Sequence, residues 1–153
     1  MKRYNTLLIR GCTLSLALAM SLLLLIKSTV AQENTVQICI VSGKKSSLKK
    51  ISKRDLILVY LGKRKSVDGV EIRPLNLGRD STVRHAFDQR ILEKSPRDIA
   101  SYWQAQALSG KGRPPRAVPS EKMLKKILNQ IPNSIGYIDS ANVDDSVSIL
   151  EKF

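Results

Sequence analysis

The spacing of apolar positions along the chain changes period several times, and each change marks an expected element. "TVQICIV", Thr35–Val41, is a short β-branched run of the kind a covered strand shows, and Ser42-Gly43 is expected to end it. "LILVYL", Leu56–Leu61, then reads as a helix entered at Ser52, with Asp55 three residues on, and stopped at Gly62. A turn with Asp68-Gly69 at its tip precedes an expected strand from Glu71 to Asn76. Val83, Phe87 and Ile91 recur every four residues behind Ser81, which predicts a helix with one buried stripe. Ser95-Pro96 with Asp98 starts another helix, whose stripe is Ile99, Trp103 and Ala107 and whose end is Gly110. Ser120 opens a last helix with Met123, Leu124, Ile127, Leu128 and Ile131 on one face, and Pro132 stops it. Ile135–Ile138 and Val147–Leu150 are expected to be closing strands.

Strands alternating with amphipathic helices, with no internal repeat and no long linker, predict an α/β sandwich: a small mixed sheet flanked by helices. Two stretches interrupt that pattern. "KKSSLKKISKR", Lys44–Arg54, is a loop with six basic residues, and "GKGRPPRAVP", Gly110–Pro119, reads as a basic loop rich in Pro and Gly.

Residues 1–31 have a different character. Lys2, Arg3 and Arg10 precede an almost wholly apolar run from Leu14 to Ile26, and Thr29-Val30-Ala31 offers small residues where signal peptidase needs them. An export signal cleaved after Ala31 is the expectation, with a periplasmic product and no membrane span after cleavage. An uncleaved anchor is the alternative. Cys12 precedes the apolar run and lacks the placing of a lipid-attachment cysteine.

Cleavage would leave residues 32–153 as one domain with one modest core, carrying 22 Lys and Arg against 13 Asp and Glu. That excess favours acidic partners but says nothing about fold. Cys39 would then be the lone cysteine, so no intramolecular disulfide could form, and its setting in "TVQICIV" predicts a small buried side chain on the first strand.

The chemistry the residues allow is narrow. A single histidine, His85, and a lone thiol exclude multi-histidine and paired-cysteine metal sites, so neither metal nor cofactor is expected. Phosphate-loop, nucleophile-elbow and dinucleotide glycine patterns do not occur, and His85 with Asp88 reads as helix-surface chemistry, so the chain is not expected to be an enzyme. Lys44, Lys45, Lys49, Lys50, Lys53 and Arg54, with Lys63, Arg64 and Lys65, form either a solvated face or an edge that attracts polyanions. No specific reading of nucleic acid is expected, because the aromatics fall mostly on core stripes.

The best local site is the helix start at Ser81. Unpaired N–H groups and a partial positive charge favour an oxyanion there, and Arg84 in the first turn would add a charged donor. The competing reading is a plain cap, with Ser81 serving its own helix and Arg84 in solvent.

The ordered segments "SLKKISKRDLILVYLGK", "IRPLNLGRDSTVRHAF", "YWQAQALSGKGRPP" and "PNSIGYID" resemble the phosphate-binding proteins of bacterial phosphate ABC transporters, above all their short, single-lobe relatives. That resemblance implies a periplasmic binding-protein-like lobe, with an ABC transporter or a second protein chain as partner. The family's phosphate loop reads Ser-Gly-Thr-Arg followed, after two intervening residues, by Phe. Ser81, Arg84 and Phe87 match it, while Thr82 and Val83 replace the Gly and Thr. One hydroxyl donor is thereby lost and backbone access is narrowed. Full-length members enclose phosphate between two lobes, whereas this chain has length for one, so weak binding of phosphate or a similar oxyanion is expected, through Ser81 and Arg84 with the Ser42-Gly43 turn as neighbour. The alternative is a secreted basic protein that associates with envelope or nucleic-acid polyanions.

Overall fold

The computed structural model describes residues 36–153, so the expected signal segment, its cleavage site, Cys12 and Thr35 lie outside the described residues. The elements run β1 (Ile38–Gly43), α1 (Lys53–Tyr60), β2 (Ser66–Val67), β3 (Val70–Glu71), β4 (Arg73–Leu77), α2 (Thr82–Arg90), α3 (Pro96–Leu108), β5 (Arg116–Val118), α4 (Glu121–Gln130), β6 (Ser134–Asp139) and β7 (Val147–Lys152). A single 3-10 turn, Ser140–Asn142, follows β6.

Five strands form one mixed sheet in the order β5-β4-β6-β1-β7. β4 runs parallel to both β5 and β6, while β1 runs antiparallel to β6 and β7. This is the α/β architecture expected, a small mixed sheet flanked by helices. No helix among the described residues is long and apolar enough to cross a membrane.

Each of the four α-helices among the described residues starts at a serine whose hydroxyl accepts an otherwise unpaired amide. Ser52 accepts from Asp55, Ser81 from Arg84, Ser95 from Asp98 and Ser120 from Met123, at 3.1–3.3 Å. At α3 the box is reciprocal, since the Ser95 amide also donates to Asp98 Oδ2 at 3.3 Å. Local chemistry alone fixes these boundaries.

The two faces of the sheet are covered differently. On one, Gly43 and Gly136 let α4 come down onto the strands. A Cβ at Gly43 would overlap the carbonyl oxygen of Leu128, and one at Gly136 would lie 2.7 Å from Leu124 Cδ2. On the other, Tyr60 of α1, Phe87 of α2 and Tyr137 of β6 meet as an aromatic cluster. Phe87 and Tyr137 stack with centroids 4.0 Å apart, and Tyr60 tilts against Phe87 at 4.7 Å. Both tyrosine hydroxyls are satisfied: Tyr60 donates to the Leu75 carbonyl at 2.9 Å and Tyr137 to Asn76 Oδ1 at 3.2 Å. Cys39 is a buried free thiol on β1, as expected, and burial pushes its pKa up.

Several expectations need correction. β1 ends at Gly43, as expected, but Ser42 and Gly43 belong to the strand itself and not to a turn beyond it: Ser42 pairs with Ile135 and Ser148, and Gly43 with Val147. Pairing on both sides overrides the local turn signal. The Asp68-Gly69 tip is a true hairpin turn with both residues at positive φ, flanked by the two-residue strands β2 and β3, and the longer strand begins only at Arg73. Ala107 is exposed, since α3 runs off the core after Trp103. Met123 is 40 % exposed, and Ile131, the C-cap of α4, is only partly buried where it packs against the core. The Pro-rich loop contains β5, held by parallel pairing with β4 rather than by any apolar run of its own.

Candidate functional site

The strand directions decide which turns can share a site. β4 and β1 are antiparallel across β6, with Pro74 and Ser42 both level with Ile135. Ser42 and Gly43 therefore lie beside the start of β4, whereas Ser81 and Arg84 follow its end. The structure does not bring the two expected groups together. Ser42 is fully buried, and its Oγ has no hydrogen-bond partner among the described residues; Gly43 is sealed by the backbone of α4.

At the Ser81 end, the hydroxyl caps α2 and leaves the amides of Thr82 and Val83 without an intrahelical acceptor. Arg84 is neither in solvent nor free. Its guanidinium folds back under the β4–α2 connection, donating to the Leu77 carbonyl at 2.7 Å, and its Nε lies 3.6 Å from Asp88 Oδ2. Both side chains are mostly buried, at 13 % and 7 % exposure. Asp88 is thus not surface chemistry as expected. Only His85 of that pair is exposed. Burial raises the pKa of Asp88, opposed by the charge and hydrogen bond of Arg84 and by the charge of His85.

Arg84 and Asp88 form part of the wall of a cleft of about 1050 Å³. α2 and the Arg79-Asp80 loop bound it on one side, α3 on another, and the segment Arg113–Ala117 leading into β5 on the third. Its apolar surface comes from Ile99, Trp103 and Pro114, and its charge from Arg79, Arg84, Arg97, Arg113 and Arg116 against Asp80 and Asp88. Arg79, Arg97, Arg113 and Arg116 are exposed. No single stretch of sequence marks this convergence, because it depends on the parallel β4–β5 pairing and on α3 packing beside α2.

The lysine-rich loops behave otherwise. Their nine basic residues are exposed, and two are tied into ion pairs, Lys53 with Glu93 at 2.8 Å and Arg64 with Asp55. A second hollow of about 670 Å³ on α4 is lined by Glu121, Lys125 and Asp144, but there Lys125 is already paired with Asp144. Among the described residues no group of His, Cys, Asp and Glu is arranged to hold a metal ion. The arginine cleft is accordingly the candidate site.

Comparison with known proteins bears on the fold. No protein-family model matches the chain, and no curated protein matches it in sequence. Solved structures do match. An ABC-type phosphate transport receptor from Vibrio cholerae aligns with a TM-score of 0.57 at 16% identity, over 76% of this chain and 47% of that one. A putative phosphate ABC transporter substrate-binding protein from Clostridium perfringens, with bound phosphate, aligns at 0.58 and 20% identity over 76% and 46%. PstS from Borrelia burgdorferi aligns at 0.56 and 14% identity over 76% and 47%. The chain thus spans under half the length of these proteins. What it shares with the phosphate ABC transporter substrate-binding proteins is the fold of its described domain.

Proposed function

We propose that the chain is a periplasmic, non-enzymatic solute-binding protein that holds phosphate or a similar oxyanion weakly where β4 passes into α2. Residues 1–31 would export it, and an ABC transporter or a second protein chain would supply what one lobe lacks. The observation that carries this reading is the cleft opening at that connection, where Arg79 and Arg84 stand beside the capped start of α2. Guanidinium groups recognise tetrahedral oxyanions through their forked N–H geometry, and the helix start adds a partial positive charge.

Competition inside the site accounts for the weakness. Arg84 already serves Leu77 and Asp88, and the Asp88 carboxylate offsets its charge. Two or three charge-assisted hydrogen bonds at about 1.5–3 kcal/mol each must overcome an association cost of at least about 4 kcal/mol. A Kd near or above roughly 1 mM follows, equivalent to about −4 kcal/mol.

Calorimetric titration of inorganic phosphate at low salt tests the reading. Saturable millimolar binding, weakened several-fold by Arg79→Ala, is the expected result. Micromolar affinity in a proven monomer, or binding indifferent to Arg79 and to Arg84→Lys, would overturn it. Tight, strongly salt-dependent binding of a long polyanion that phosphate does not disturb would instead assign the function to the lysine-rich loops.

A further inference from the structure

The cleft is far larger than a bare tetrahedral anion requires. Sites of about 300–1,000 Å³ enclose ligands of drug size, and this one measures about 1050 Å³. Its lining also divides into two chemistries. Ile99, Trp103 and Pro114 supply an apolar floor and wall, while arginines stand at separate points of the rim: Arg79 beside the start of α2, Arg97 in the first turn of α3, and Arg113 and Arg116 at β5. Orthophosphate would engage only one end of this arrangement and leave the apolar part in contact with water.

Other occupants fit less well. Trp103 is the one Trp, Tyr or Phe among the residues that line the cleft, and Tyr102, which donates its hydroxyl to the Leu61 carbonyl at 2.7 Å, is not among them, so successive nucleobases have no second ring on which to stack. A long inorganic polyanion would match the rim but gain nothing from the floor. A ligand with one charged end and a compact apolar body uses both.

We propose that the cleft binds a small phosphoester, its phosphoryl group beside Arg79 at the start of α2 and its apolar substituent over Ile99, Trp103 and Pro114. This deepens the oxyanion reading and rests on it, because the same cleft supplies the anion contacts. Arg113 and Arg116 act as specificity residues: they flank Pro114 on the β5 side of the cleft, where the substituent rests.

Trp103 is the sole tryptophan of the chain, so the cleft carries its own reporter. The protein purified from its producing cell is titrated separately with orthophosphate, phenyl phosphate, phenol and tripolyphosphate, with Trp103 fluorescence and calorimetry read together. Phenyl phosphate is expected to bind at least about tenfold more tightly than orthophosphate and to change the Trp103 emission, while phenol is without effect. The double variant Arg113→Ala/Arg116→Ala should lose that tenfold preference and keep the thermal midpoint of the parent, while Arg79→Ala should weaken both phosphate compounds alike. Equal affinities for phenyl phosphate and orthophosphate would overturn the phosphoester inference and leave the oxyanion reading standing. So would tripolyphosphate binding more tightly than phenyl phosphate. Phenol binding as tightly as phenyl phosphate would overturn the inference as well, reducing the cleft to an apolar pocket. Absence of binding by either phosphate compound would remove both.

Discussion

Two strand-to-loop transitions, Ser42-Gly43 after "TVQICIV" and Gly78–Ser81 after "IRPLNL", look alike as sequence: a strand rich in Leu, Ile or Val, then Gly and Ser with basic residues close by. In the structure they are opposites. Gly43 is covered by the backbone of α4 at the end of the sheet where β4 begins, and the loop before Ser81 opens into an arginine-lined cleft at the end where β4 finishes. The direction of each strand within the sheet makes the difference. A turn joins a site only if its strand delivers it to the right edge, and that depends on pairing partners roughly 40 to 110 residues away as much as on local residues.

The comparison can be broken most severely at the closed end. Gly43→Ala should cost about 3 kcal/mol or more, since the new methyl group meets a helix carbonyl that cannot move without carrying α4 with it. Gly136→Ala should cost less, about 1–2 kcal/mol, because the atom it meets is the end of the Leu124 side chain. Urea unfolding of both variants checks the order; equal costs would mean that α4 is not seated as described.

At the open end the largest effect should come from Arg84. Arg84→Ala removes the donor to Leu77 and leaves the buried Asp88 carboxylate uncompensated, a loss of about 2–3 kcal/mol by the same measurement.

Asp88 sharpens the contrast through pH. Burial raises its pKa above the unfolded value, so the folded chain takes up the proton first. Its contribution to stability is therefore greatest in acid and declines as pH rises from the ordinary carboxylate value through the raised one. Asp88→Asn should flatten the stability profile in that window; an unchanged profile would show that Arg84 fully compensates the charge. Ser81→Ala comes last, at about 1 kcal/mol for the lost cap, visible as a small fall in thermal midpoint.

What could be read in the sequence was what neighbouring residues decide among themselves. The four serine caps, the Asp68-Gly69 turn, and the Val83, Phe87 and Ile91 stripe all depend on contacts within a few residues. β5 was hidden because three residues next to two prolines carry no period; only β4 makes them a strand. Asp88 was misread because a helical wheel shows which face turns inward but not that this face ends over Tyr60 and Tyr137. Of the candidate site, Ser81 and Arg84 were visible as a cap and a first-turn arginine. Arg79, Arg97, Arg113 and Arg116 were not, since helix packing and a parallel crossover bring them together from three separate segments.

The outer strand β7 bears on how the protein behaves in a crowd. Its register with β1 slips at Ile40/Val41, where Ile40 faces Glu151 and Val41 faces Ile149, so Leu150 is the extra residue of a bulge. A bulge adds local twist and breaks the straight run of free backbone groups that a neighbouring chain would need to extend the sheet. Glu151 and Lys152 place opposite charges directly after it. A six-residue strand with the half-exposed Ile149 at its centre would otherwise invite edge-to-edge stacking. With the kink and the charges, this margin of the described sheet is a poor template for edge-to-edge polymerisation.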